Sequence, residues 1–100
     1  MKVYIAGRIT GNDNYREEFG KAEACLRLFG HTPLNPATLP DGMKPEDYMR
    51  ICLAMIDSAD MIAFLPGYEN SKGARLKLDY ARYIHKPYYF VCGRETETKA

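Results

Sequence analysis

The chain has 100 residues, 46% of them hydrophobic, with fourteen Lys and Arg against thirteen Asp and Glu and a formal net charge of +1. That length makes one domain, able to bury a core without disulfide or metal staples and too short for a multidomain machine. A near-neutral balance with no long run of one sign excludes the basic stripe of a nucleic-acid binder and the polybasic segment of a membrane-surface protein.

Lys2 to Ala6 (KVYIA) is a β-rich run stopped by Gly7, and Gly11 follows after Arg8, Ile9 and Thr10. A strand therefore enters a glycine-bearing loop. From Asn14 the period turns helical through Tyr15, Phe19, Ala22, Leu26 and Phe29, with Gly30 placed as a C-cap. His31 to Leu34 is short and β-like. Asn35-Pro36, Pro40, Asp41-Gly42 and Pro45 then punctuate a loop of about ten residues, a length at which irregular segments are often functional. A second helix is predicted from Pro45 to Ser58, with Tyr48, Cys52, Met55, Ile56 and Ala59 on its apolar side.

Asp60 opens Met61-Ile62-Ala63-Phe64-Leu65, a continuous apolar run of the kind buried on both faces of a sheet, ended by Pro66-Gly67. Ser71 is an N-cap candidate for a third helix running to Lys86; Pro87 breaks it, and Tyr88 to Cys92 forms a last strand. Alternating strands and helices predict a three-layer α/β domain, flavodoxin- or Rossmann-like, with a parallel sheet of four to five strands. Residues 1–93 are expected to form that single domain and 94–100 a charged, frayed tail.

Cys25, Cys52 and Cys92 are odd in number and lack metal or CxxC spacing, so they read as free thiols of a reducing compartment. The apolar stretches are far shorter than about 20 residues, and a strand opening directly after Met1 leaves no room for a signal peptide. The expectation is a cytoplasmic protein with no membrane, nucleic-acid, metal or cofactor dependence. His31 and His85 sit at element boundaries as surface histidines, and Cys52 reads as core packing. Tyr80, Tyr83, Tyr88 and Tyr89 cluster near the last helix and strand, which suits a homodimer or larger homo-oligomer.

Lys77 is the one charge on the wrong side of the third helix. At about 100° per residue Ala74, Leu78, Tyr80, Ala81 and Ile84 share an apolar arc, opposite Lys72, Arg75, Asp79, Arg82 and Lys86; Lys77 falls among the apolar group. In a parallel sheet the carboxyl ends of the strands lie at one edge, where ligands bind. Two loops meet there, Gly7 to Gly11 and Pro66 to Gly73. Ser71 and Gly73 at a helix start, with exposed backbone N–H groups, make an anion site, although Gly and Ser also serve turn geometry alone. Neither GxGxxG nor GxxxxGK[ST] is present.

VYIAGRITG near the N-terminus, Asn35-Pro36, EDYMRICLAMIDSADMIAFLPGYENSKGAR in the middle and the helix ending in Ala81 together resemble the nucleoside 2-deoxyribosyltransferase-like superfamily. The likeness is greatest to its small domain-of-unknown-function branch (DUF4406) of phages and bacteria and covers residues 2 to 91. The resemblance implies a flavodoxin-like sheet, oligomers that share sites, and cleavage or exchange of the N-glycosidic bond of 2'-deoxynucleosides or their 5'-monophosphates through a deoxyribosyl ester on a Glu. By the same resemblance Gly7 and its loop, with Arg8 and Thr10, pack around the base, and Ser71 and Gly73 hold the 5'-phosphate. Arg8 stands where the branch usually has Pro. The family's catalytic Glu falls at Lys77, and the carboxylate that meets the sugar hydroxyl falls at Cys52.

An ammonium opposes the positive charge that develops at the anomeric carbon, so the family mechanism does not carry over unchanged. As a replacement carboxylate, Asp79 lies on the outer arc and Asp60 at the far end of a strand, which leaves Glu69. Three readings remain: a protein that binds a nucleotide or deoxynucleoside 5'-monophosphate with Lys77 at the catalytic position, an active N-glycosidic enzyme using Glu69 or another carboxylate, and an interaction module with a vestigial cleft.

Overall fold

Side-chain alternation along one strand organises the whole molecule. The computed structural model describes residues 1–91; Cys92 and the expected tail lie outside the described residues. The elements are β1 (Lys2–Ala6), α1 (Tyr15–Leu28), β2 (Thr32–Leu34), a short 3-10 turn (Pro36–Thr38), α2 (Pro45–Ser58), β3 (Met61–Phe64), a second 3-10 turn (Tyr68–Asn70), α3 (Lys72–Tyr83) and β4 (Tyr88–Phe90). The four strands are all parallel in the order β2-β1-β3-β4. The order reverses between β1 and β3, the switch point at which an open parallel sheet leaves a crevice.

Val3 and Ile5 face one layer with Phe19 and Leu26 of α1, joined by Ala63 and Leu65. Tyr4 and Ala6 face the other layer, where they pack with Ile62 and Phe64 of β3, Cys52 and Ile56 of α2 and Leu78 and Ala81 of α3. Period-2 alternation in the central strands and period-3.6 stripes on the helices thus produce three layers, as expected. Among the described residues no helix is long and apolar enough to cross a membrane.

Three boundaries differ from the sequence reading, each for a local reason. The third helix stops at Tyr83 rather than Lys86, because His85 adopts a left-handed φ of 60°. The His85 N–H then reaches the Arg82 carbonyl at 3.3 Å and the Lys86 N–H the Ala81 carbonyl at 2.9 Å, a Schellman closure. Gly30 closes α1 the same way at φ 84°. The last strand pairs only through Phe90. The loop after β2 contains a 3-10 turn because Asn35 caps it: its Oδ1 accepts the Ala37 N–H at 2.9 Å. The Asn35 amide also donates to Glu23 at 3.0 Å, which with Arg27 holds the Glu23 carboxyl below the usual carboxylate range.

Asp60 closes the opposite, amino edge of the sheet. Its carboxylate accepts the Lys2 N–H at 2.7 Å, the main reason its pKa is lowered, and its own N–H donates to the Lys2 carbonyl at 2.8 Å.

Candidate functional site

The carboxyl edge holds a cleft of about 700 Å³, lined by the loop after β1, the loop between β2 and α2, and the start of α3. That volume is in the range of small-molecule sites. Gly7, Thr10, Ser71, Gly73 and Lys77 all line it, so five of the eight residues singled out in the sequence converge. Gly7 is buried, and a Cβ there would meet Phe19 at 3.1 Å and Leu65 at 3.2 Å. Its lack of a side chain therefore serves close packing as much as cleft shape.

Three residues are placed elsewhere. Arg8 is exposed and folds over its own loop, its guanidinium 3.0 Å from where a Cβ of Gly11 would stand. Cys52 is fully buried beneath the cleft and does not line it. Glu69 is exposed on the 3-10 turn Tyr68–Asn70 and points no carboxylate into the cleft wall. The 3-10 turn explains this: it inserts an extra bend between Gly67, at φ 90°, and Ser71, and turns Glu69 outward. The carboxylate that does line the cleft is Asp41, at the rim, where it pairs with Arg16 at 2.9 Å. In the sequence Asp41-Gly42 is a turn signal and gives no hint of that position.

The head of α3 opens on a side-chain cap. Ser71 is the N-cap; its Oγ accepts the Ala74 N–H at 3.1 Å, and its carbonyl accepts the Arg75 N–H at 3.0 Å. The N–H groups of Lys72 and Gly73 keep no partner among the described residues, and both residues line the cleft. Unpaired donors and the positive end of the helix dipole coincide there.

Lys77 is only 3% exposed, and it reaches solvent through the cleft it lines. Its Nζ stands 5.6 Å from the Tyr4 ring centroid and 5.8 Å from that of Tyr48, within cation-π range. No ion pair of the described residues includes it. Burial pushes its pKa down, opposed in part by the Cys52 thiol. Around it the Tyr4 hydroxyl is the one buried side-chain N or O of the described residues without a hydrogen-bond partner, and burial raises its pKa well above the usual value. Tyr48 donates its hydroxyl to the Pro36 carbonyl at 3.2 Å, and its pKa is raised, chiefly by burial. Sequence periodicity identified Lys77; the paired tyrosine rings facing it were missed, since Tyr4 reads only as a strand residue and Tyr48 only as apolar stripe.

Among the described residues no group of three His, Cys, Asp or Glu could hold a metal ion. Residues 1–90 match the sequence profile of the domain of unknown function DUF4406. The chain belongs to that family. No curated protein matches this DUF4406 chain. Among solved structures, a 2-deoxyribosyltransferase from the psychrotolerant bacterium Bacillus psychrosaccharolyticus shares the fold with a TM-score of 0.71 at 23% identity, over 90% of this chain and 71% of that one. The flavodoxin-like three-layer architecture of the DUF4406 chain is thus shared with that enzyme.

Proposed function

We propose that this protein binds a nucleotide of the deoxynucleoside 5'-monophosphate class in the cleft at the carboxyl edge of its sheet. The observation that carries the reading is the pair of free N–H groups at Lys72 and Gly73, at one end of a nucleotide-sized cleft. The phosphate meets those donors, and the sugar lies toward Lys77. The likeness to a 2-deoxyribosyltransferase supports the ligand class.

The reading of an active enzyme with the family's ester mechanism is less well supported. It needs a carboxylate near the sugar, and among the described residues the cleft offers only Asp41, largely exposed and engaged by Arg16. A cytoplasmic protein of one domain through residue 93, assembled as a homodimer over exposed Tyr83, Tyr89 and Phe90, completes the proposal. A monomer mass by light scattering at micromolar concentration contradicts the assembly.

The test is thermal unfolding with deoxynucleosides and their 5'-monophosphates, with chromatography for free base. Ligand at about a hundred times its dissociation constant adds about 2.7 kcal/mol, which for a domain of this size shifts Tm by roughly ten degrees or more. Monophosphates are expected to raise Tm well above the matching nucleosides, with no base released. Absence of any shift at millimolar monophosphate sinks the reading.

A further inference from the structure

We propose that Lys77 captures phosphorylated sugar aldehydes as an imine, with the phosphate held at the head of α3. The inference uses the same cleft as the nucleotide reading and does not require a nucleotide to bind.

A lysine buried for structural reasons ordinarily keeps its ammonium paired or carries it out to water. Lys77 does neither. It is 97% removed from solvent, has no carboxylate partner among the described residues, with only the Cys52 thiol placed to favour its charge, and its Nζ faces two aromatic rings. What remains open to it is the cleft that it lines. The groups facing the amine are Tyr4 of β1 and Tyr48 and Cys52 of α2, none of them a fixed negative charge. Burial among them favours the free amine, the form that attacks a carbonyl. The competing nucleophile Cys52 is fully buried and does not line the cleft.

The second half of the site lies five residues earlier on the same helix. Lys72 and Gly73 present unpaired N–H groups about 7 Å along the helix axis from Lys77, at 1.5 Å per residue. An aldehyde at one end of a short carbon chain and a phosphate at the other bridge the two. The phosphate fixes the chain, and the aldehyde carbon is brought to Nζ.

The step balances without a further reagent. The Nζ lone pair attacks the aldehyde carbon, forming C–N, while the carbonyl π pair moves to oxygen and takes one amine proton. The resulting carbinolamine loses that oxygen as water with the second amine proton, and the nitrogen lone pair forms the C=N bond. One amine and one aldehyde become one imine and one water.

The probe is 2-deoxyribose 5-phosphate, incubated with the full chain and sodium cyanoborohydride, then read by intact mass and peptide mapping. The expected result is one adduct, heavier by the sugar less one oxygen, mapped to Lys77. Its yield should be at least roughly tenfold above that with unphosphorylated 2-deoxyribose, fall with added inorganic phosphate, and vanish in a folded Lys77→Met variant. Adducts spread over exposed lysines such as Lys72, or equal yields with and without the phosphate, overturn the proposal. A monophosphate-induced Tm rise without the adduct also overturns it and leaves the nucleotide reading standing. The adduct without any nucleotide effect upholds it and removes that reading instead.

Discussion

The two layers that sandwich the sheet are built from the same strands and have opposite character. On the α1 side Val3, Ile5, Phe19, Leu26 and Leu65 form a core with no ionisable side chain among its buried members of the described residues. On the α2/α3 side the buried set includes Tyr4, Cys52 and Lys77. Both lie under the same central strands, so neither the sheet nor the fold demands the polar set. An apolar core is what stability alone selects, and a buried amine facing two phenols is a cost kept beside a cleft.

Breaking the apolar side has the largest effect. Phe19 is fully buried, and Phe19→Ala should cost about 3–5 kcal/mol, the usual range for a buried aromatic. Urea unfolding should show a much lower midpoint or an unfolded chain.

On the polar side the sign reverses. Lys77→Met keeps the volume and removes the buried amine, and is expected to stabilise by about 1–2 kcal/mol near neutral pH. The unfolded chain keeps the Lys77 proton up to its ordinary 10.5, while the folded chain gives it up lower. Stability linked to Lys77 is therefore missing at neutral pH and returns as pH rises toward 10.5. The advantage of Met should shrink accordingly between about pH 7 and about pH 9.5, read as the difference in urea midpoints. An advantage independent of pH would show that the amine carries no such burden.

The smallest change in stability separates site from scaffold. A Cβ at Gly73 would stand 3.6 Å from Met49, ordinary contact, and the φ of Gly73 is not left-handed. Gly73→Ala should leave stability within about 0.5 kcal/mol. The added methyl sits beside the free N–H groups at the head of α3, so the Tm rise given by a monophosphate should fall. An unchanged ligand effect would move the phosphate elsewhere.

Much of this was legible in the sequence, because helical and strand periods assign faces. The apolar arc of Ala74, Leu78 and Ala81 placed Lys77 inside, and the apolar run from Met61 placed β3 at the sheet centre. Ser71 announced a cap, and Gly30 a helix end. What escaped depends on how loops close in three dimensions. Asp41 reaches the cleft only because its loop crosses toward α1, and Glu69 leaves it only because a 3-10 turn rotates it outward. Tyr4 and Tyr48 meet Lys77 from elements far apart in the chain. Periodicity gives each a face and no partner.

The Arg16–Asp41 pair fastens the loop between β2 and α2 to α1 at the rim of the cleft. Both side chains are more than half exposed, so the fastening is weak and is screened by salt. The rim is thereby tied to ionic strength: raising salt should loosen the hold of this loop on α1, while the buried floor around Lys77 is screened much less.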